Sequence, residues 1–125
     1  MAKVRSIGVF CGSAAGRNEA YGKAARAAGK AIAGSGSRLV YGGGDVGLMG
    51  QAAHAALEAG GKVLGVIPEF MIATEGLYEE AETRIVTTMS IRKNMLIEES
   101  DAFLIMPGGV GTLEEIFDVL SRQRL

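Results

Sequence analysis

Apolar residues along this chain fall into short continuous runs, separated by stretches where they recur every three or four positions. The first run, Val4 to Phe10, is rich in β-branched residues and ends at Cys11-Gly12-Ser13-Ala14-Ala15-Gly16, which predicts a buried strand and its turn. Tyr21, Ala24, Ala25, Ala28 and Ile32 then repeat at helical spacing, with Lys23, Arg26 and Lys30 off that face, until Gly34-Ser35-Gly36 stops the helix. Arg38 to Tyr41 reads as a second strand with Gly42-Gly43-Gly44-Asp45-Val46-Gly47 as its turn. Leu48 to Ala59 is an alanine-rich helix closed by Gly60-Gly61. A third strand, Lys62 to Ile67, ends at Pro68. From Glu69 to Glu82 the pattern weakens to a loop with a short helix around Leu77 to Ala81. Thr83 to Met89 is a fourth strand, and Ser90 to Ser100 a helix with Ile91, Met95 and Leu96 as its apolar face. Ala102 to Met106 is a fifth strand, and a last helix runs to Leu125.

Strand alternates with helix five times and no hairpin signal intervenes, so the expected class is α/β: a Rossmann-like doubly wound parallel sheet in a single domain over 1–125. The strands are nearly continuous in Val, Ile and Leu, as strands covered on both faces should be. Ligands of such sheets bind outside the carboxyl ends of the strands, near the switch in strand order. Three expected strands end there in glycine turns, at Gly12-Ser13, Gly42 to Gly47 and Gly108 to Gly111, which predicts one site built from three loops.

Composition narrows the function more than the fold. The 125 residues are 48% apolar and 22% charged with a formal net charge of -1, which fits a soluble domain and gives no support to nucleic-acid binding. Nineteen glycines exceed the roughly 7% of average usage and cluster at strand ends. Cys11 is the only cysteine, which excludes an internal disulfide and a thiolate metal cluster and fits a reducing cytoplasm. No basic, apolar and small-residue succession at the N-terminus suggests a signal peptide or a membrane span.

The chemistry concentrates in Pro107-Gly108-Gly109-Val110-Gly111-Thr112-Leu113-Glu114-Glu115, between the fifth strand and the helical spacing of Ile116, Phe117, Val119 and Leu120. Glycines there leave backbone N–H groups bare at the start of a helix, an arrangement that suits a phosphate. Thr112 is placed to cap that helix, and Glu115 stands where a capping-box glutamate would stand, so Glu115 is either cap or catalyst. Ser13 could donate its hydroxyl to a phosphate or cap a turn. Gly42 to Gly47 satisfies GxGxxG, but the dinucleotide fingerprint belongs on the first strand and its acidic residue would here have to be Glu69, behind Pro68. No glycine turn precedes Lys-Ser or Lys-Thr, which excludes a Walker loop. Cys11 reads as packing. His54, the only histidine, reads as a partly exposed helix residue without a Ser, Cys or metal-spaced partner, so neither a catalytic triad nor a zinc site is expected. Arg92 and Lys93 are either solvated charges or, since the dipole disfavours cations in a first helical turn, partners of an anion: a ligand or a carboxylate such as Glu115.

Pro107 to Glu115 reads PGGxGTxxE, and with it the chain resembles the LOG family, the cytokinin riboside 5'-monophosphate phosphoribohydrolases, whose members are often labelled lysine decarboxylases. Val9-Phe10-Cys11-Gly12-Ser13, Val40-Tyr41-Gly42-Gly43-Gly44, Gly47-Leu48-Met49-Gly50, Gly65-Val66-Ile67-Pro68 and Met89-x-x-Arg92-Lys93 stand in the family's order, so the resemblance spans essentially the whole chain. It implies a homodimer that needs neither metal nor cofactor and cleaves the N-glycosidic bond of a nucleoside 5'-monophosphate, releasing the base and ribose 5-phosphate. Arg92 and Glu115 become the implied catalytic pair. Gly108, Gly109, Gly111 and Thr112 are implied to hold the phosphate and substrate with Ser13, Gly44, Met89 and Lys93. A carboxylate can stabilise the oxocarbenium character that develops on the ribose while it orients water. A pyridoxal-phosphate decarboxylase would need a Schiff-base lysine, and no lysine stands in a convincing context. A second reading of the same cradle is a nucleotide or pterin-cofactor carrier. Two features depart from the family: Ser90-Ile91 replaces its common His-Glu, and the sequence reaches Leu125 inside the helix after the motif, so the expected sheet is C-terminally shortened.

Overall fold

The computed structural model describes residues 4–10, 19–45 and 47–106. Strand β1 (Ser6–Phe10) leads to α1 (Glu19–Gly34), β2 (Arg38–Tyr41), α2 (Gly47–Glu58) and β3 (Val63–Pro68). A 3-10 turn (Glu69–Met71) then runs into the short α3 (Ile72–Glu75), followed by β4 (Glu82–Val86), α4 (Met89–Glu98) and β5 (Ala102–Ile105). The strands form one sheet in the order β4-β3-β2-β1-β5, parallel at every pairing, as the alternation of strand and helix predicts.

Alternation along each strand divides the core in two. Val9, Leu39, Tyr41 and Val63 pack with Ala25 and Ile32 of α1 and Ala52, Ala53 and Ala56 of α2. Phe10, Val40, Leu64, Val66 and Val86 pack with Leu96 of α4. The first three crossovers all step in one direction across the sheet. The fourth returns from β4 over three strands to β5, and a right-handed crossover that reverses direction has to use the opposite face.

Several boundaries and faces differ from the sequence expectation. Of the expected α1 stripe, Ala25 and Ile32 are buried and Ala28 packs against the core, whereas Tyr21 and Ala24 are exposed and Gly22 and Gly29 complete the buried face instead. Close approach to α2 decides this: a Cβ on Gly29 would collide with the Ala52 carbonyl and stand 3.0 Å from the Ala56 nitrogen. Strand β1 begins at Ser6 because the Asp101 carboxylate accepts the N–H groups of Arg5 and Ser6, at 2.9 and 3.0 Å. Strand β4 ends at Val86 because Thr88 is the N-cap of α4, its hydroxyl accepting the Ile91 N–H at 3.1 Å. The short helical segment lies at 69–75, not at Leu77 to Ala81. Pro68 precedes it in an extended conformation, and Gly76, at φ 73°, closes it by donating its N–H to the Ile72 carbonyl at 2.8 Å. The expected last helix lies outside the described residues.

Candidate functional site

The strand order changes direction between β1 and β5, which pair from Ile7 with Ala102 to Phe10 with Ile105. Met106 donates its N–H to the Phe10 carbonyl at 2.8 Å, so the chain leaves both strands side by side. That is the crevice where sheets of this kind bind ligands. In the sequence Ser13 follows β1, and Gly108, Gly109, Gly111, Thr112 and Glu115 follow β5; all six lie outside the described residues.

The described part of the site is built around Arg92. This residue occupies the first turn of α4, yet it is only 8% exposed, and Ile91, expected on the apolar face, is the exposed neighbour. The Thr88 cap fixes where the helix starts and so which residue faces the sheet. The Arg92 Nε donates to the Val66 carbonyl at 3.0 Å, and Nη2 donates to the Gly42 carbonyl at 2.6 Å. Hydrogen bonds from a charged donor contribute about 1.5–3 kcal/mol each, which offsets part of the cost of burying the charge. The Glu75 carboxylate stands 3.8 Å from Nη2 and supplies opposite charge. Its Oε1 is buried and accepts no hydrogen bond from the described residues. The sulfurs of Met71 and Met89 lie 3.7 and 4.0 Å from Nη1.

The loop after β2 is shaped to allow this. A Cβ at Gly42 would collide with the guanidinium, so only glycine permits the arginine to reach that carbonyl. Gly43 takes φ 83°, where its backbone runs over the end of β3 and a Cβ would be 2.9 Å from that of Ile67. Gly44 is buried against Met49 and Glu75. Met89 and Lys93 are half-buried on α4 on either side of Arg92 in sequence. The structure thus brings Arg92, Met89 and the Gly42–Gly44 loop together at the carboxyl ends of β2 and β3.

A guanidinium keeps its proton at all working pH values, so Arg92 can orient a group and stabilise negative charge but cannot serve as an acid or base. Any proton transfer at this site needs another group. The helix dipole called for an anionic partner, a ligand or a carboxylate, and among the described residues Glu75 supplies a carboxylate. Sequence reasoning passed over it because it sits in the stretch where periodicity fails, although a lone carboxylate just before a helix-closing glycine at the carboxyl edge of the sheet was a usable signal. His54 is a partly exposed residue of α2, as expected, and it has two partners that its sequence neighbourhood does not announce, Asp45 and Tyr78.

Residues 49–125 match the family model described as "Possible lysine decarboxylase". The chain is 50% identical over 123 residues to the cytokinin riboside 5'-monophosphate phosphoribohydrolase of Rhodococcoides fascians, covering 97% of this chain and 62% of that protein. It is 44% identical over 124 residues to a protein of the same name from Oryza sativa subsp. japonica, covering 98% of this chain and 51% of the relative. The chain therefore spans roughly half to three-fifths of the length of these relatives. Among solved structures, the molybdenum cofactor carrier protein of Chlamydomonas reinhardtii superposes with a TM-score of 0.83 at 28% identity, over 97% of this chain and 73% of that one. With a family model matched over more than half its length and relatives this similar along nearly all of it, the chain belongs to the LOG family, the one described as possible lysine decarboxylases.

Proposed function

We propose that this chain hydrolyses the N-glycosidic bond of a nucleoside 5'-monophosphate, a cytokinin riboside monophosphate or AMP, to the free base and ribose 5-phosphate. The observation that carries the reading is the 50% identity, over nearly the whole chain, to a protein named for that reaction. The buried, carbonyl-anchored Arg92 supports it chemically. In the reaction water adds its oxygen to C1' of the ribose, the C1'–N bond breaks, and the base leaves with the bonding pair and takes a proton. A fixed cation favours the charge that builds on the departing base, and loss of such a group costs on the order of a hundredfold or more in rate. Glu115, outside the described residues, is the carboxylate that stabilises the ribose cation and orients the water. Gly108, Gly109, Gly111 and Thr112 hold the phosphate, with Ser13, Gly44, Met89 and Lys93 around the nucleotide. The enzyme works as a homodimer in the cytoplasm, without metal or cofactor; among the described residues no helix is long and apolar enough to cross a membrane. A pyridoxal-phosphate decarboxylase has less support: among the described residues Lys23, Lys30 and Lys62 are exposed, Lys93 is half-buried, and the buried cation is Arg92, which forms no Schiff base.

The superposition on a molybdenum cofactor carrier favours a second reading, a nucleotide or pterin-cofactor carrier that binds without catalysis. Incubation with AMP and with isopentenyladenosine monophosphate, followed by chromatography, separates the two. Free base from either nucleotide is expected; binding of both with no base released would leave the carrier.

A further inference from the structure

Beside the arginine lies a cluster that the reaction as described does not use: Asp45, His54 and Tyr78. Asp45 ends the glycine loop after β2, His54 projects from α2, and Tyr78 is buried in the connection between α3 and β4. A carboxylate can only accept, so the His54 Nε2–H donates to Asp45 Oδ1. The His54 ring also stacks on that of Tyr78, with centroids 4.0 Å apart and planes 11° from parallel. One side chain on a helix therefore touches both connections that shape the arginine site.

The two connections are also joined to each other. The Asp45 N–H donates to the Glu75 carbonyl at 2.8 Å. Gly42 supplies a carbonyl that Arg92 Nη2 binds, and Glu75 supplies a facing carboxylate, so these two partners of Nη2 belong to segments that meet at Asp45. A run of three glycines holds no conformation by itself, because glycine has the most backbone freedom to lose. Something outside the loop has to fix it, and His54 is placed to do so from the firmest element nearby, since α2 buries Ala52, Ala53, Ala55 and Ala56 around it.

We infer that His54 is a positioning residue: through Asp45 it pins the Gly42–Asp45 loop, and through Tyr78 the following connection, and so fixes the carbonyl and carboxylate that aim Arg92. The link to catalysis rests on the hydrolase reading above, but the link to loop order does not. His54 and Asp45 are both substantially exposed, with side chains at 43% and 38%, so the pair contributes little to the stability of the fold as a whole.

The test compares the wild type with His54→Ala, His54→Phe and His54→Gln. Phenylalanine keeps an aromatic ring without a donor, whereas glutamine keeps a donor for Asp45 without the ring. Amide hydrogen exchange at Gly43, Gly44 and Asp45 should accelerate about 3- to 10-fold in His54→Ala and in His54→Phe, and stay near the wild-type rate in His54→Gln, with the urea midpoint unchanged in all. In base release, kcat should fall in His54→Ala with KM nearly constant and recover in His54→Gln. Unchanged loop exchange in His54→Ala would overturn the proposal. So would acceleration spread evenly over the sheet, or a glutamine variant as loose as alanine. If the wild type releases no base from any nucleotide, the hydrolase reading fails, and the exchange comparison still decides whether His54 pins the loop.

Discussion

Against one face of the sheet, α1 and α2 meet through Gly22, Ala25 and Gly29 on one helix and Ala52, Ala53 and Ala56 on the other, whereas α4 lays an arginine against the opposite face. The first face gains from dispersion between closely spaced backbones, and its charged contact, Arg26 with Gln51, lies at the exposed edge. On the second face a guanidinium is taken out of water at the first turn of a helix, where the dipole also opposes it. Apolar residues of similar volume in place of a buried ion pair are often neutral or stabilising, by about 1–4 kcal/mol. A fold selected for cohesion alone would have no use for Arg92 where it is. The contrast teaches which half of the molecule is arranged for chemistry: the α4 face, at the end where the glycine loop meets it.

The largest effect expected from breaking this contrast is on Arg92. Arg92→Met leaves the Glu75 carboxylate, only 12% exposed, without its opposite charge, and should lower stability by about 3–5 kcal/mol. Adding Glu75→Gln removes the stranded charge and should recover a large part of that loss. Base release should stay at least about a hundredfold down in both variants. Urea unfolding of the single and double variants beside the chromatographic assay checks this; a double variant no more stable than Arg92→Met would mean that the pair is not energetically coupled. On the other face, Gly29→Ala drives a methyl into the backbone of α2 and should cost about 1–3 kcal/mol. Activity per folded molecule should not change. A lower urea midpoint at constant slope is the signature, and a fall in kcat would show that the two faces are not separable.

The same contrast explains how far the sequence could be read. The central strands β1 to β3 and the three long helices of the described part follow from continuous apolar runs and three-to-four spacing, because burial on both faces of a parallel sheet writes that pattern directly. By contrast β4 and β5, at the two ends of the described strand order, leave Ile85, Leu104 and Ile105 exposed. The packing face of α1 was legible in Ala25, Ala28 and Ile32 but not in full, since glycine carries no hydrophobic signal: Tyr21 attracts attention, while Gly22 and Gly29 make the close contacts. On α4, Leu96 and Met95 pack against the sheet as the spacing predicts, and only Ile91 departs from it. A pattern rule assigns Ile91 inward and leaves Arg92 open, and partners distant in sequence, among them Gly42, Val66 and Glu75, hold the guanidinium against the sheet. The dipole misfit of Arg92 did point to an anionic partner, although Glu75 lies in the stretch without periodicity and could not be paired with it from spacing. The other catalytic candidate, Glu115, and the phosphate cradle around it lie outside the described residues.

The smallest effect sharpens the comparison from the cohesive side. Tyr41 belongs to the α1–α2 face, is 1% exposed, and its hydroxyl has no hydrogen-bond partner among the described residues. Burial first, and then the nearby Asp45 charge, push its ionisation well above the ordinary phenol value of 10.0. Tyr78 is shifted in the same direction, by burial first and then by Glu80, so both phenols add to any alkaline loss of stability. Above pH 10 the unfolded chain gives up the Tyr41 proton while the folded chain keeps it, so the folded state binds more protons. Stability from this group is complete below the unfolded value and falls as pH rises, by up to about 1.4 kcal/mol per pH unit. Tyr41→Phe should remove that share of the alkaline slope and leave the Tyr78 share. Near pH 7 it should change stability by no more than about 1 kcal/mol, because the lost hydroxyl has no partner among the described residues to leave unpaired. Base release should be unaltered. Urea midpoints of the two proteins from pH 7 to 11 measure both quantities. A variant that lost activity at neutral pH would show that a polar atom buried in the cohesive face also serves the site, and the division between the faces would then have to be redrawn at β2.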